Sequence, residues 1–519
     1  MKGQLVPIVL ISIIISFIPL SHGTYRLYDA TKTITVPDDY SSIQAAINAS
    51  NPGDTVFVRN GTYHEQIGVD KAITLIGESR QSTIIDGNGS DPNQFVLYIY
   101  GVSNTTVENL KVENAEHGLG VGPDANYTKI RNVTLQNNRN NLWVGFASML
   151  QNTTVDIDES NTVDGGKPIC FWVNRENAQV PSNAGYVALI DCTNVTVQGP
   201  ALTKDGMILV NLTNCLVQNV SVTGAETPLS TWGMENCTIQ NSLFNNISTI
   251  NYYSGGVELQ NFNDSSFTNN TITNMKGDGV HFMGGSFSTI SENSIFNNTN
   301  NGLYVDGDNN FITANKIFNN TQGIQISDSQ NNNFSNNHIE GNFFLQVELG
   351  NSSFNLISGN QIIGNISDTP SSNEYGILLS MHSDNNTIID NSIYGNYYGV
   401  YVLQSKNNSI FHNNFINNVS PAWTAQGSNA WDNGYPSGGN YWSDYLGLDK
   451  NHDGIGDTPY EIPNDIDVDH YPLMNPYVVP EYSYIMLIPL FAFSTIALLV
   501  IKKSKRKGHT PDVAQLALK

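Results

Sequence analysis

Along most of the chain, apolar residues recur in runs of three to five alternating positions, separated by Asn, Gly, Ser and Asp. One unit reads apolar-x-x-Asn-x-apolar and occurs at Phe267 to Ile272, Ile290 to Ile295, Ile312 to Ile317, Phe334 to Ile339, Ile357 to Ile362, Ile388 to Ile393 and Ile410 to Phe415. It returns about every 22 residues, with one step lengthened by an insert around Asp368 to Glu374. Between these lies an apolar-x-apolar unit after Gly, at Gly256 to Leu259, Gly279 to Phe282, Gly302 to Val305, Gly323 to Ile326, Gly376 to Leu379 and Gly399 to Val402; Gln346 to Leu349 fits without its Gly. Runs this short and this alternating predict strands. Two or three such strands bury their apolar side only if successive repeats stack at the ~4.8 Å strand spacing, which defines a parallel β-helix. Helical solenoids need about 33 residues and a 3.6-residue period, and neither is present.

The recurring Asn has a physical reason. Asn tolerates the left-handed conformation that a sharp corner demands. In register, its amides hydrogen-bond along a column, at about 1 kcal/mol net per link. The expectation is a buried ladder of Asn270, Asn293, Asn315, Asn337, Asn360, Asn391 and Asn413. Cys215 and Cys237 stand one repeat apart, where a disulfide and two stacked thiols both fit. Ser41 to Asn48 carries apolar residues at helical spacing behind capping candidates, predicting a short helix that plugs the first coil.

Charge and flanking segments set the compartment. With 23 Lys+Arg against 46 Asp+Glu and a net charge of -23, the chain repels phosphate, which excludes a nucleic-acid partner. Residues 1–23 read as a signal peptide, 24–100 as an N-terminal cap with the first coils, 101–420 as the repeats and 421–478 as a C-terminal cap. Residues 482–501 are long and apolar enough for a transmembrane helix, and the basic run from Lys502 to Lys507 opens a cytoplasmic tail, 502–519. The expectation is a single-pass cell-surface protein whose Asn-X-Ser/Thr sequons are open to glycosylation.

The stretches Ile34 to Ile47, Pro52 to Val56, Gly61 to Tyr63 and Thr74 to Gly77 resemble the opening of right-handed β-helix proteins of the NosD-like class. Gly166 to Ile169, Trp172 to Asn174, Gly185 to Leu189, Gly439 to Asp444, Asp453 to Asp457 and Tyr471 to Met474 are similar to archaeal cell-surface members. The resemblance implies a right-handed winding; with the readings above, the expectation is an all-β, right-handed parallel β-helix solenoid with a short N-terminal capping helix, a C-terminal cap and one C-terminal transmembrane helix. It is specific for fold and weak for activity, because lyases, glycosidases, adhesins and a copper-enzyme accessory factor share such coils.

Three chemistries are candidates. Asp449, Asn451, Asp453, Ile455 and Asp457 follow a calcium-loop spacing, with Gly454 at the turn and Tyr460 where a bidentate Glu would stand. Copper is implied by the resemblance, but His64, His281, His338, His382 and His412 are scattered and no Met cluster accompanies them. The outward position of the second unit gives one residue per coil, Glu258, His281, Tyr304, Gln325, Glu348 and Tyr401, with Asp306 and Asp328 nearby. Tyr rings and carboxylates suit a polysaccharide, and ordinary solvent-facing residues account for them equally. The readings are a surface β-helix that binds glycans without turnover, a carbohydrate-active enzyme on the same scaffold, and a copper-binding accessory factor. Against catalysis, Glu258 and Glu348 stand about 19 Å apart, beyond the 5 to 9.5 Å of a glycosidase pair. Asp306 with Asp328 could meet that spacing.

Overall fold

The computed structural model describes residues 31–246, 256–365, 374–463 and 467–478. The expected signal peptide, transmembrane helix and cytoplasmic tail lie outside them. Among the described residues no helix is long and apolar enough to cross a membrane. The chain winds as a right-handed parallel β-solenoid of about 17 turns.

The first coil is plugged as expected. Ile43–Ala49 is helical, Ser42 accepts the Ala45 N–H, and Ile43, Ala46 and Ile47 are fully buried against the first strands. The Glu65 carboxylate accepts the N–H groups of Ile43 and Gln44 at the helix N-terminus. Lys71 Nζ donates to the carbonyls of Ile47, Asn48 and Ser50 at 3.0, 2.6 and 2.9 Å, satisfying groups a helix C-terminus leaves open.

Each regular coil contains one long and two short strands, for example Val257–Asn263, Ser266–Thr268 and Thr271–Thr273. Equivalent strands pair in parallel without a shift, so inward Val, Ile, Leu and Phe stack in files that are almost wholly buried. The Asn ladder forms as predicted. Asn270, Asn293, Asn315, Asn337, Asn360 and Asn391 each send their backbone N–H and Nδ2 to the Oδ1 of the next Asn, at 2.9 to 3.1 Å. Asn413 does the same to Asn440.

The corner itself corrects the expectation by one residue. The left-handed backbone belongs to the position before each ladder Asn, namely Asn269, Glu292, Ala314, Asn336, Gly359, Asp390 and His412, at φ 52° to 65°. The turn is made by an outward residue, which leaves the Asn amide directed into the column. Glu, Ala and His are tolerated at these corners because the ladder and the sheets fix the conformation.

A second column passes through Ser265, Ser288, Asn310, Asn332, Asn355, Asn386 and Asn408 to Asn429. Cys215 and Cys237 lead into it as free, buried thiols, with the Cys215 N–H on the Cys237 Sγ at 3.3 Å. Of the two open arrangements, the structure contains the stacked thiols. Both columns end on carboxylates. Asp469 accepts the Asn440 N–H and Trp442 Nε1–H, both at 2.8 Å, and Asp467 accepts the Asn429 N–H and Trp431 Nε1–H.

The stack is not one continuous parallel ladder. Asn140–Val144 closes the long-strand sheet of the first coils, Asp156–Ile157 and Thr162–Val163 end the parallel pairing of its two short-strand sheets, and Lys167–Val173 opens a new long-strand sheet. Between the two long-strand sheets Thr162 and Val163 pair antiparallel with Pro168 and Lys167, across a turn where Gly165 and Gly166 hold φ 74° and 75°. Two stacks therefore meet at a join. The buried Asp205 carboxylate crosses it, accepting the N–H of Asn141 at 2.7 Å, of Leu142 at 3.3 Å, and the Asn141 Nδ2 at 2.9 Å.

Candidate functional site: an outward column and the cleft at its end

Strand pairing places Ser230, Glu258, His281, Tyr304, Gln325, Glu348, Leu378, Tyr401 and Trp423 in one file on the long-strand sheet. The six predicted residues are brought together, each half-buried. Nine positions at about 4.8 Å give a file nearly 40 Å long. Asp306 is outward two residues beyond Tyr304, beside the file, and Asp328 sits one position further along the chain's register. Burial first, then the charge of Asp328, holds the Asp306 carboxyl above its ordinary range.

The two ends of the file differ. At the C-terminal end aromatic rings gather: Tyr375 stacks on Tyr398 at 5.4 Å, Tyr401 on Trp423 at 6.4 Å, and Tyr398 meets Tyr401 edge-on at 5.0 Å. Trp423 follows Pro421 rather than Gly, so the repeat signature misses it. In the middle, Asp278 holds His281 Nδ1 at 2.9 Å while His281 packs on Tyr304 with centroids 4.6 Å apart. The buried Nε2 of His281 has no partner. Burial raises the carboxyls of Glu348 and Glu258, and in Glu258 a 2.8 Å hydrogen bond from the Ser230 hydroxyl works against that rise.

At the N-terminal end Ser230, Glu258 and Gln260 form one side of a cleft of about 560 Å³. Its other side is the last long strand of the N-terminal stack, Asn140–Val144, and the segment after it, with Trp143 and Phe146. Phe95 lies against Trp143 at 5.6 Å and Trp143 against Phe146 at 5.7 Å. Tyr186 lines the cleft at 1% exposure, and its hydroxyl has no hydrogen-bond partner. A buried unpaired hydroxyl costs about 1–3 kcal/mol. Burial also pushes Asp205 up to about 6. Of these cleft residues the sequence marks Glu258, through the file, and Tyr186, within the stretch Gly185 to Leu189; Phe95, Trp143, Phe146 and Asp205 lie outside the recurring units.

Among the described residues no three His, Cys, Asp or Glu side chains gather to hold a metal ion. In the candidate calcium loop the carboxylates instead receive the loop's own backbone. Asp449 accepts the N–H of Asp453 and Gly454, Asp453 that of Ile455, and Asp457 that of Lys450, while Asn451 Nδ2 donates to Asp453. The hydrogen bond from Gly454 is the main cause that lowers the Asp449 carboxyl. These bonds use one or two of the lone pairs of each carboxylate and leave the others open. Two of the histidines considered for copper are likewise engaged: His338 bonds Gln361 and Glu340, and His412 bonds the Ser437 carbonyl and stacks on Tyr477 at 4.2 Å.

Comparison with known proteins agrees with this architecture. Residues 218–368 match the family described as right handed beta helix region, and residues 352–447 match the family described as periplasmic copper-binding protein (NosD). A probable ABC transporter binding protein NosD of Stutzerimonas stutzeri is 33% identical over 138 residues, 24% of this chain and 26% of that protein. Its counterpart in Pseudomonas aeruginosa is 35% identical over 115 residues, 22% of this chain and 19% of that protein. The chain thus spans about a quarter of one of these curated relatives and about a fifth of the other. Among solved structures, the A-module of the Azotobacter vinelandii mannuronan C-5 epimerase AlgE4 is 16% identical, with 75% of this chain and 95% of that chain covered at TM-score 0.31. A tailspike protein mutant of E. coli bacteriophage HK620 is 13% identical, with 75% and 62% covered at TM-score 0.35.

The coils, the ladder and the sheet register define a right-handed parallel β-helix protein. Within that class, the chain is similar to NosD over the residues matched.

Proposed function

We propose that the protein is an extracytoplasmic, membrane-anchored β-helix that binds an extended glycan along the outward file without turning it over. The observation that carries this reading is the file itself: recessed hydrogen-bonding groups at coil spacing, ending in the aromatic cluster of Tyr375, Tyr398, Tyr401 and Trp423. A rigid array of that kind meets a saccharide without reorganising. Its rings offer stacking area, and its amides and carboxyls pair with hydroxyls. The NosD-like resemblance supports a place outside the cytoplasm, and the apolar run at 482–501 supports an anchor with residues 502–519 inside. Protease added to intact cells should remove the body and spare the tail.

A glycan array with product analysis on the exported protein tests the reading. Tyr304→Ala should weaken binding by about 1–2 kcal/mol while the solenoid stays folded. Affinity that ignores substitution of Glu258, Tyr304 and Glu348 together would refute this face as the site. The raised Glu258 carboxyl favours one alternative, acid catalysis on the same scaffold, which new reducing ends or unsaturated products would reveal. The family match over 352–447 favours the copper-binding reading, which requires stoichiometric copper on the purified protein.

A further inference from the structure

We infer that the cleft at the join is a dedicated site for the terminal unit of a neutral saccharide, so that the file holds the body of a chain whose end enters the cleft. This rests on the glycan-binding reading and names its polarity and ligand class. Four observations lead to it.

The first is position. Ser230 and Glu258 belong to both the file and the cleft, so a chain lying on the file reaches the cleft without leaving the surface. Trp143 and Phe146, on the N-terminal stack, form the facing wall. A ligand approaching along the file meets that wall, and an end fits where a continuous chain does not.

The second is chemistry of the walls. Trp143 is half-buried and Phe146 is exposed at the rim, which together present ring surface of the kind a pyranose face stacks on. Gln260, Ser230 and Glu258 supply hydroxyl partners opposite.

The third is charge. Lys204, the cation lining the cleft, is held by Asp164 at 3.0 Å, and the neighbouring Arg139 is held by Glu116 and by Glu226, the latter at 3.3 Å. Glu226, Glu258 and Asp205 also line it. A uronate carboxylate would meet acidic groups and cations already paired, whereas a neutral sugar presents no charge to repel.

The fourth is the unpaired hydroxyl of Tyr186, buried and lining the cleft. The nearby Asp205 carboxylate is turned to Asn141 and Leu142 and makes no hydrogen bond to it. The hydroxyl is closed off from solvent, so a ligand hydroxyl supplies the missing partner once a small shift of the cleft wall exposes it.

The test is calorimetric titration of the full chain in detergent with neutral gluco-, galacto- and manno-oligosaccharides of one to six units, and with oligogalacturonates of the same lengths. Trp143→Ala, Tyr186→Phe and Tyr401→Ala are compared, each checked for an unchanged melting temperature. The expected result is that a neutral di- or trisaccharide binds, loses about tenfold or more in affinity with Trp143→Ala and about threefold or more with Tyr186→Phe, and ignores Tyr401→Ala. Neutral hexasaccharides should respond to all three. Tighter binding of the oligogalacturonates, or short neutral sugars indifferent to both cleft substitutions, would overturn the inference. If only long saccharides bind, with sensitivity at Tyr401 and none at Trp143, the cleft inference falls and the file reading stands. If no saccharide of either kind binds, both fall.

Discussion

The two stacks solve the same problem by different means. In the C-terminal stack, register is held by repetition: each coil contributes an Asn to the ladder, and an error in one coil would leave buried amides unpaired in two. In the N-terminal stack no such ladder runs. There individual long side chains reach across several coils. Arg80 donates to Asn132 at 2.9 Å, to Thr134 at 2.6 Å and to Thr162, tying residues far apart in sequence. Arg131 pairs with Asp156 and Asp158. Regular coils make a uniform surface, and irregular ones make concavities. The cleft lies where one regime gives way to the other.

The largest effect should come from breaking the ladder. Asn337→Ala removes the acceptor of two Asn315 donors and leaves Asn360 Oδ1 and the Ile312 carbonyl without its amide. It should destabilise the C-terminal stack by about 2–4 kcal/mol. Hydrogen exchange should then quicken across 257–442 and change little across 33–144; equal loosening of both would mean that the stacks unfold as one unit. The counterpart, Arg80→Met, keeps the aliphatic stem and deletes the donors. It should cost about 1–2 kcal/mol, with faster exchange confined to the N-terminal stack.

A pH series sharpens the comparison further. Burial pushes Asp469, which ends the ladder, up to about 6 from an ordinary value near 3.8. The native state thus keeps a proton that the unfolded chain releases between about pH 4 and 6, so stability falls as pH rises through that window. Asp205 at the join, also pushed up to about 6, acts in the same direction. Asp469→Asn should remove part of the slope of melting temperature against pH and leave the part due to Asp205. An unchanged slope would show that the cap carboxyl does not titrate there. The smallest effect concerns the loop at 449–457. Asp449, Asp453 and Asp457 crowd three carboxylates into one turn, and with calcium among them excess chelator should lower the melting temperature reversibly. An unaltered melting temperature would reject the ion.

Repetition explains what could be read from sequence. The ladder and the file follow from spacing alone, since strand period and coil stacking convert a 22-residue recurrence into neighbours. The corner was displaced by one position because Asn suits both the turn and the ladder, and in the first unit the two stand side by side as Asn269 and Asn270. Asp467 and Asp469 belong to none of the recurring units or motifs of the sequence. Their role depends on Trp431 and Trp442, brought to them only by folding of the cap. The cleft was illegible for a related reason. Phe95, Trp143, Tyr186 and Asp205 share no period, and the antiparallel step that assembles them is a departure from the pattern.

The ladder also has a direction. Every amide along it donates toward the C-terminal coil and accepts from the N-terminal side, so the column is a vector whose leading end always presents unsatisfied N–H groups. A carboxylate is the natural stop for such an end, and Asp469 supplies it. Coils can therefore be gained or lost within the column, where each newcomer both accepts and donates, but not appended after Asn440 without displacing the stop. The same stop leaves no open donors for a second molecule to continue the column, which keeps a stack built for endless propagation at a defined length.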